Sequence, residues 1–451
     1  MPNTVAMSRR TGRLSFHGLT KGMIILGLIF AVLIHPPTTG LGGRPTPFHL
    51  FIAAAEALLL LRVMSTRQTH LAINNIDRAF ALIFISVLLS YIFNLSHIRE
   101  ITYGLQVVNG GTGTMWKVIL LGLVSITVSY LGYRLGRISS HTRRDVSEIM
   151  LTVVLATSVN SVVNIIAWSH ATRGSLIRYG FIPPLTISPG LSASLSVVGF
   201  VLAMALWKDS KLNSFVRVVV GATLLVQGLG ILVLTVRQSY VMFIITVFLY
   251  TVLASGLAKF PLKRFVMILV TLLFITLGIF FLLAHASSSL LTTMSNTFNP
   301  NGVDLTTRFT ALNSAWELFT REPLFGVGYG LFGARNQVPM LVSGRLQVFV
   351  SSAHNGVANA LAEMGIAGLI SLFFMGYAAT KYSWHVRKQI NDPFFHAVSS
   401  AVLALIIVEM ISQLISNSVL LPPPADASSV QLAFIYWTLI GMLAPLRKVS
   451  L

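Results

Sequence analysis

Apolar runs of about 20 residues recur along the whole chain, and this pattern constrains the fold more than any other feature. A run of that length is long enough to cross the hydrocarbon core of a bilayer as an α-helix. Charged residues make up only 10% of the 451 residues, whereas a soluble protein carries about 25%. Most of the chain therefore cannot face water, and the sequence predicts an all-α polytopic membrane protein.

We predict about twelve transmembrane helices from the hydropathy of the chain. Within a bilayer each backbone polar group must be satisfied inside the protein, so every run is expected to be helical. The first run follows a basic stretch without a small-residue cleavage site, and we expect it to stay as the first span. The predicted spans lie near residues 22–35, 47–65, 79–97, 116–136, 148–168, 189–207, 216–235, 238–257, 264–285, 355–380, 396–420 and 430–446.

Lysine and arginine are distributed unevenly between the connections, and this bias predicts the orientation of the chain. With the N-terminus in the cytoplasm, 22 of the 32 Lys and Arg residues fall on the inner side and 10 on the outer side. Both termini are then cytoplasmic. The net charge of +19 follows mainly from this bias, so nucleic acid is not an expected partner.

One outer connection is far longer than the others. Loops of such length in a compact protein are usually functional or disordered. This one has a helical pattern, because its apolar residues recur at steps of three and four. They are Leu305, Phe309, Leu312, Trp316 and Phe319. We predict an amphipathic helix lying at the outer membrane interface.

Polar and glycine residues predict where that helix begins and ends. Asp304 is the expected N-cap, and Glu322-Pro323 is the expected stop. The glycines that follow predict tight turns rather than more helix. They are Gly326, Gly328, Gly330 and Gly333.

The chain therefore divides into three parts. Residues 1–285 hold transmembrane helices one to nine, and residues 355–451 hold helices ten to twelve. Between them, residues 286–354 form the large outer loop, which is the expected catalytic region.

Two side chains of this outer region are candidates for chemistry. Arg308 would lie one turn into the amphipathic helix, where a guanidinium can donate two parallel hydrogen bonds to a phosphate. An arginine that extends to lipid headgroups is the other interpretation. His354 would lie in the first turn of span ten, with Ser351 or Ser352 as N-cap. A helix N-terminus disfavours imidazolium, so a neutral ring could accept a proton from a substrate hydroxyl, unless it is only a capping histidine.

Further charges lie at or inside the predicted spans. Arg237 is the only charge between spans seven and eight, so it must lie at the outer boundary, either as an anion ligand or extended to the headgroups. Three acids fall within spans: Glu56, Glu363 and Glu409. A charge at the bilayer centre costs about 2.5–3.5 kcal/mol, so each acid should have a partner or be protonated. They could be structural pairs or a proton path.

The outer side offers few carboxylates, and none are spaced as D-x-D. Mg²⁺ bound to a diphosphate usually needs one or two carboxylates. Arginines would then neutralise a leaving group instead. The chain has no cysteine, and its inner connections carry neither a P-loop nor GxGxxG after a strand. The sequence therefore predicts no metal, no cofactor and no coupling to ATP.

Several motifs of the outer region occur together in one known family. They are Arg308-Phe309-Thr310, Pro323-Leu324-Phe325-Gly326-Val327-Gly328, His354-Asn355-Gly356 and Glu363-Met364-Gly365-Ile366-Ala367-Gly368. In this order, with twelve spans and a large loop before span ten, the chain resembles the superfamily of O-antigen ligases and O-antigen polymerases. Thr235-Val236-Arg237-Gln238 is similar to a further element of that family, with Val236 at the usual place of a serine.

The resemblance implies a glycosyltransferase of the bacterial cell inner membrane with a periplasmic active site. Arg308 and Arg237 would bind the undecaprenyl diphosphate of the glycan donor, and His354 would engage the acceptor hydroxyl. Transfer would be independent of metal and would invert the anomeric carbon. Further substrate-binding candidates are Asn355 and the other outer cations, Arg321, Arg335 and Arg345.

The resemblance leaves the acceptor open. The first hypothesis is an O-antigen ligase with lipid A-core oligosaccharide as acceptor; the alternative is a polymerase that joins lipid-linked repeat units. A protein O-glycosyltransferase is less expected, because such relatives tend to have added C-terminal sequence. A transporter or lipid flippase is an alternative from another class, with the intramembrane acids as ion sites. The long outer loop with its arginine and histidine favours the enzyme.

Overall fold

The structure is a computed structural model. It describes residues 16–33, 73–96, 98, 115–170, 189–234, 237–255, 303–335, 341–342, 345–346, 352–416, 420–422 and 427–445, with isolated positions at 51, 54, 263 and 266. Within these residues the protein is helical, as expected, apart from two strands of two residues each. The strands are β1, Leu341–Val342, and β2, Arg345–Leu346, which pair antiparallel.

The described part of the chain contains twelve helices, which we number in chain order. The first seven are α1 (Phe16–Leu33), α2 (Asn75–Phe93), α3 (Met115–Ser139), α4 (Arg143–His170), α5 (Pro189–Trp207), α6 (Ser214–Val233) and α7 (Arg237–Ser255). The remaining five are α8 (Val303–Arg321), α9 (Phe332–Arg335), α10 (Gly356–Gln389), α11 (Pro393–Ser412) and α12 (Ala427–Met442).

Ten of these helices coincide with ten of the predicted spans. Eight are long and apolar enough to cross a membrane, whereas the apolar parts of α1 and α12 are shorter. The helices α8 and α9 belong to the region predicted as the outer loop. The spans predicted at 47–65 and 264–285 lie outside the described residues, except for isolated positions. The total of twelve spans therefore stays a prediction.

Small residues allow the helices α3 and α12 to approach closely. A Cβ atom at Gly136 of α3 would overlap the backbone carbonyl of Thr438, and one at Gly441 of α12 would overlap the carbonyl of Tyr133. Transmembrane helices associate largely through such van der Waals contact, because lipid is as apolar as their side chains. This pair closes one side of the bundle, and α10 packs against α2, α8 and α11 on the side that carries the candidate site.

A group of charged side chains ties the helices together at the end of α10 opposite His354. Arg143 at the start of α4 pairs with Asp209 at 2.5 Å and with Asp392 at 2.9 Å, and its guanidinium lies over the ring of Phe394. Asp392 is also the N-cap of α11. A single arginine thus connects α4, the connection after α5 and the beginning of α11.

Candidate functional site

The helix α8 presents two different faces. Ala311, Ala315 and Leu318 are buried in a small core that includes Ala362 of α10. The side chains of Phe309 and Trp316 are instead 60% and 63% exposed. The predicted apolar stripe therefore lies beside the packed face rather than on it, and this arrangement suits a helix whose stripe meets lipid.

The ends of α8 agree in part with the prediction. The helix ends at Arg321, immediately before Glu322-Pro323, as expected. It begins at Val303, so Asp304 lies within the first turn and the expectation that it is the N-cap is wrong.

Arg308 lies one turn into α8 and is exposed. Its Nη1 donates a hydrogen bond of 3.1 Å to the backbone carbonyl of Ile415, just beyond the end of α11. This contact holds the guanidinium at the side of α8 that faces residues 413–416. These residues form the turn that directly follows α11, and we call them the terminal turn of α11.

His354 does not lie in the first turn of α10. The helix begins at Gly356, and its N-cap is Asn355, whose side-chain oxygen accepts the N–H of Ala358 at 2.9 Å. The expectation that Ser351 or Ser352 is the cap is therefore wrong. The hydroxyl of Ser352 accepts the backbone N–H of His354 instead, at 3.3 Å.

The backbone of His354 is strained. Its φ of +49° makes it the one non-glycine residue with positive φ in the described part of the chain. Residues other than glycine rarely adopt this conformation, and strain of this kind clusters at active sites and ligand clamps. The side chain of His354 is exposed, and the residue lies two positions before the start of α10 rather than inside the helix.

The terminal turn of α11 contacts both Arg308 and Asn355. Asn355 Nδ2 donates to the carbonyl of Leu414 at 2.7 Å, and the N–H of Gly356 contacts the carbonyls of Gln413 and Ser416, each at 2.7 Å. The last carbonyls of a helix have no partner within it and carry its negative end. Here the N-terminus of α10 and a guanidinium satisfy them, and His354 directly precedes the Asn355 that makes one of these contacts.

The glycine loop, residues 322–331, is inserted into a break in α10. Gly365 has φ +63° in the middle of α10, where a continuous helix would need a negative value. The N–H groups of Ile366 and Ala367 bond to the carbonyls of Pro323 and Leu324 at 2.9 and 3.3 Å. The break thus frees backbone groups of α10, and the loop satisfies them.

The loop and the break require glycine on both sides. In the other direction, the N–H of Val327 bonds to the carbonyl of Ala362 at 2.9 Å. A Cβ atom on Gly326, which has φ +63°, would overlap the backbone of residues 363–364. One on Gly365 would overlap the backbone of residues 323–324. The two glycine motifs of the sequence are therefore physical partners.

Tight turns occur at three of the four predicted glycines. Gly326, Gly328 and Gly330 all have positive φ. Gly333 lies inside the short helix α9, so the expectation of a turn at that position is wrong. The helix resumes there because residues 328–331 have already turned the chain, with the N–H of Leu331 bonded to the carbonyl of Gly328 at 3.0 Å.

Polar residues at the end of α2 anchor the glycine loop, and the sequence analysis did not single them out. Asn94 Nδ2 donates to the carbonyl of Gly326 at 2.7 Å, and the hydroxyl of Tyr91 donates to the carbonyl of Tyr329 at 3.0 Å. Burial raises the pKa of the Tyr329 phenol well above its ordinary value, so the group stays protonated and donates to the carbonyl of Pro422. The sequence signal that could have identified them is three polar residues, Ser90, Tyr91 and Asn94, at the end of an otherwise apolar span.

Two of the other four predicted arginines have described side chains. Arg321 is exposed and pairs with Glu317 on its own helix. Arg335 ends α9. Arg237 is the first residue of α7 and Arg345 lies in β2, but the side chains of both lie outside the described part of the structure.

Two of the three intramembrane acids can be described, and both are buried. Glu363 is 7% and Glu409 is 1% exposed. Glu409 accepts a hydrogen bond of 3.2 Å from the hydroxyl of Ser412. Glu56 lies outside the described residues. Among the residues that the structure describes, no group of three or more His, Asp or Glu side chains could hold a metal, and transfer without metal stays a prediction.

The apolar helices indicate a multi-pass helical membrane protein. Its candidate site lies on α8, the glycine loop and the N-terminus of α10. Residues 222–373 match the family model described as O-antigen ligase. This match supports the O-antigen ligase superfamily and confirms the resemblance that the motifs carry. Members of this family are glycosyltransferase-like ligases or polymerases. The comparison with curated proteins gave no match.

Proposed function

We propose that this protein moves a glycan from undecaprenyl diphosphate to an acceptor sugar, and that the acceptor is lipid A-core oligosaccharide. The observation that carries the proposal is that Arg308 and Asn355, the residue next to His354, both contact the terminal turn of α11. These residues belong to separate motifs of one family, and the matched segment 222–373 contains all of them.

The chemistry of the two side chains suits glycosyl transfer from a diphosphate. The acceptor hydroxyl oxygen attacks the anomeric carbon while the bond from that carbon to the diphosphate oxygen breaks and its electron pair leaves on the diphosphate. His354 accepts the hydroxyl proton. Arg308, with Arg237 from the start of α7, neutralises the leaving group in place of a metal ion. Attack from the face opposite the diphosphate inverts the anomeric carbon.

The same proposal gives each part of the chain a place. The excess of Lys and Arg in one set of connections supports cytoplasmic termini, a periplasmic site and residence in the bacterial inner membrane. Residues 286–354 are then the periplasmic catalytic loop, between helices one to nine and helices ten to twelve of a twelve-span bundle. The exposed stripe of Phe309 and Trp316 would rest in the outer leaflet, beside the lipid-linked donor.

Asn355, Arg321, Arg335 and Arg345 complete the proposed substrate site. Asn355 contributes by position, because it caps α10 and contacts the terminal turn of α11. The three arginines add positive charge along the loop, and a loop with more arginine than acid attracts an anionic lipid carrier.

The composition of surface glycan in a deletion strain tests the ligase against its alternatives. A ligase deletion leaves long polymer on the carrier lipid and lipid A-core without it. If lipid A-core instead carries single repeat units, the protein is a polymerase. If the donor lipid stays on the cytoplasmic side, the protein is a flippase and the enzyme proposal fails.

A further inference from the structure

Glu363 lies about two turns into α10 and is almost fully buried, with 7% of its surface exposed. Its carboxyl group accepts hydrogen bonds from the backbone N–H groups of Phe332, at 3.3 Å, and of Gly330. In the described part of the chain it forms no ion pair with Lys or Arg. Backbone N–H groups of another segment are thus its hydrogen-bond donors.

The residue contacts that segment through its backbone as well. The carbonyl of Glu363 accepts the N–H of Gly328 at 3.0 Å. One residue of α10 therefore contacts the glycine loop at Gly328 and Gly330 and also the first residue of α9, Phe332. A buried acid that served only to fill space would cost free energy on burial, since a polar group inside a protein needs its hydrogen bonds.

The segment that Glu363 holds leads directly to an arginine. Phe332 begins α9, and α9 ends at Arg335, whose own N–H bonds to the carbonyl of Leu331 at 3.0 Å. The carboxyl group therefore fixes the start of a single helical turn that has Arg335 at its other end. Movement of Phe332 would move Arg335 with it.

We propose that Glu363 is a positioning residue that acts through Arg335. By holding the start of α9, it sets where Arg335 presents its guanidinium to the anionic part of the donor. The donor-binding role of Arg335 rests on the proposed function. The structural link between Glu363 and α9 does not depend on it. A proton path through Glu363 would instead require its titration and would not involve Arg335.

Four variants test the link in purified full-length protein reconstituted in liposomes. Glu363→Met removes the acceptor oxygens, Glu363→Gln keeps one of them, Arg335→Ala removes the cation, and the fourth variant combines Glu363→Met with Arg335→Ala. Glu409→Met is the control, because Glu409 is also buried but lies in α11, where its carboxylate accepts the hydroxyl of Ser412.

The kinetic readout is kcat/KM for glycan transfer. Glu363→Met should lower it by about 10- to 100-fold, because misplacement by about 1 Å can cost that much. Glu363→Gln should lose less. Adding Glu363→Met to Arg335→Ala should cost less than about twofold more, since residues that act as a unit are not additive. In a variant that combines Glu409→Met with Arg335→Ala, the two separate losses of kcat/KM should multiply. Independent multiplication of Glu363→Met with Arg335→Ala would overturn the proposal.

Hydrogen exchange followed by mass spectrometry gives a readout that does not need activity. Glu363→Met should speed exchange in residues 326–335, Glu363→Gln should do so less, and Glu409→Met should leave this segment unchanged. Unchanged exchange in both Glu363 variants would overturn the link. If Glu363→Met does not reach the membrane, Glu363→Gln decides by the same measurement. If the wild-type protein transfers no glycan but the exchange pattern holds, the proposed function fails and the positioning of α9 stands.

Discussion

Arg308 donates its hydrogen bond to the carbonyl of Ile415, a residue 107 positions further along the chain. The bond joins the helix of the outer region to the end of α11, and Asn355 makes the neighbouring contact to Leu414. Two motif residues are therefore held by one backbone turn rather than by each other. The geometry of that turn controls where the guanidinium of Arg308 and the N-terminus of α10 lie.

Substitution of Arg308 should abolish transfer without removing the protein from the membrane. Arg308→Ala should lower kcat by about 100- to 1000-fold, the usual loss for one stabilising donor at a developing negative charge. Arg308→Lys should also be poor, because an ammonium cannot reproduce the two parallel hydrogen bonds of a guanidinium. Transfer with a lipid-linked donor is the measurement, and Arg144→Ala is the control, since Arg144 is 86% exposed at the start of α4. Near-normal transfer by Arg308→Ala would contradict the assignment.

Asn355 has two separable roles, and different substitutions should distinguish them. Asn355→Ser keeps an N-cap oxygen but loses the bond to the carbonyl of Leu414, so it should lower activity more than stability. Asn355→Asp also keeps the cap but turns a carboxylate towards that carbonyl, and it should be the worse of the two. Asn355→Ala should lose about 1 kcal/mol of stability from the cap as well. Thermal unfolding and transfer rates, measured together, check this order. Equal activity of the Ser and Asp variants would contradict the contact to Leu414.

Gly326→Ala and Gly365→Ala should each destabilise the protein by about 2 kcal/mol or more. Both positions have positive φ, and a methyl group would overlap the backbone of the opposite segment. Gly190→Ala is the matched control, because a Cβ atom there meets nothing within 4 Å. Thermal unfolding in detergent measures the difference. If Gly326→Ala and Gly365→Ala unfold at the same temperature as Gly190→Ala, the loop is not inserted into α10.

The sequence predicted the helices well and the contacts of the site less well. The spans follow from runs of apolar residues, a property that each segment carries by itself. The packed face of α8 was not predicted, because Ala311 and Ala315 are small and do not stand out beside Phe309 and Trp316. Burial on that face depends on Ala362, far along the chain.

The start of α10 illustrates the same limit. Ser352 and Asn355 are both good N-cap residues, and local sequence does not choose between them. The carbonyl of Leu414 decides, since it accepts the Asn355 amide. Likewise both glycine motifs were evident in the sequence, but their pairing was not, because the partners of Gly326 and Gly365 are backbone atoms of distant residues.

Neighbouring arginines at the start of α4 should differ sharply in their effect on stability. Arg143→Ala leaves Asp209 buried without its ion-pair partner, and such a loss costs about 3–5 kcal/mol. Arg144→Ala breaks only an exposed pair with Glu148, and exposed ion pairs contribute little to stability. Thermal unfolding of the two variants, with the wild-type protein as reference, measures the difference. Equal unfolding temperatures would mean that Arg143 does not connect α4 to α11.

Reconstituted transfer by wild-type protein and by His354→Ala tests the central claim most directly. The reaction contains liposomes, an undecaprenyl diphosphate-linked glycan and lipid A-core, and the product is followed on a gel. We predict that the wild-type protein attaches glycan to lipid A-core and that His354→Ala gives no product above background. The two proteins should be present in the membrane in equal amounts. Wild-type product together with near-equal product from His354→Ala would contradict the role given to this histidine, and no product from the wild-type protein would contradict the transferase itself.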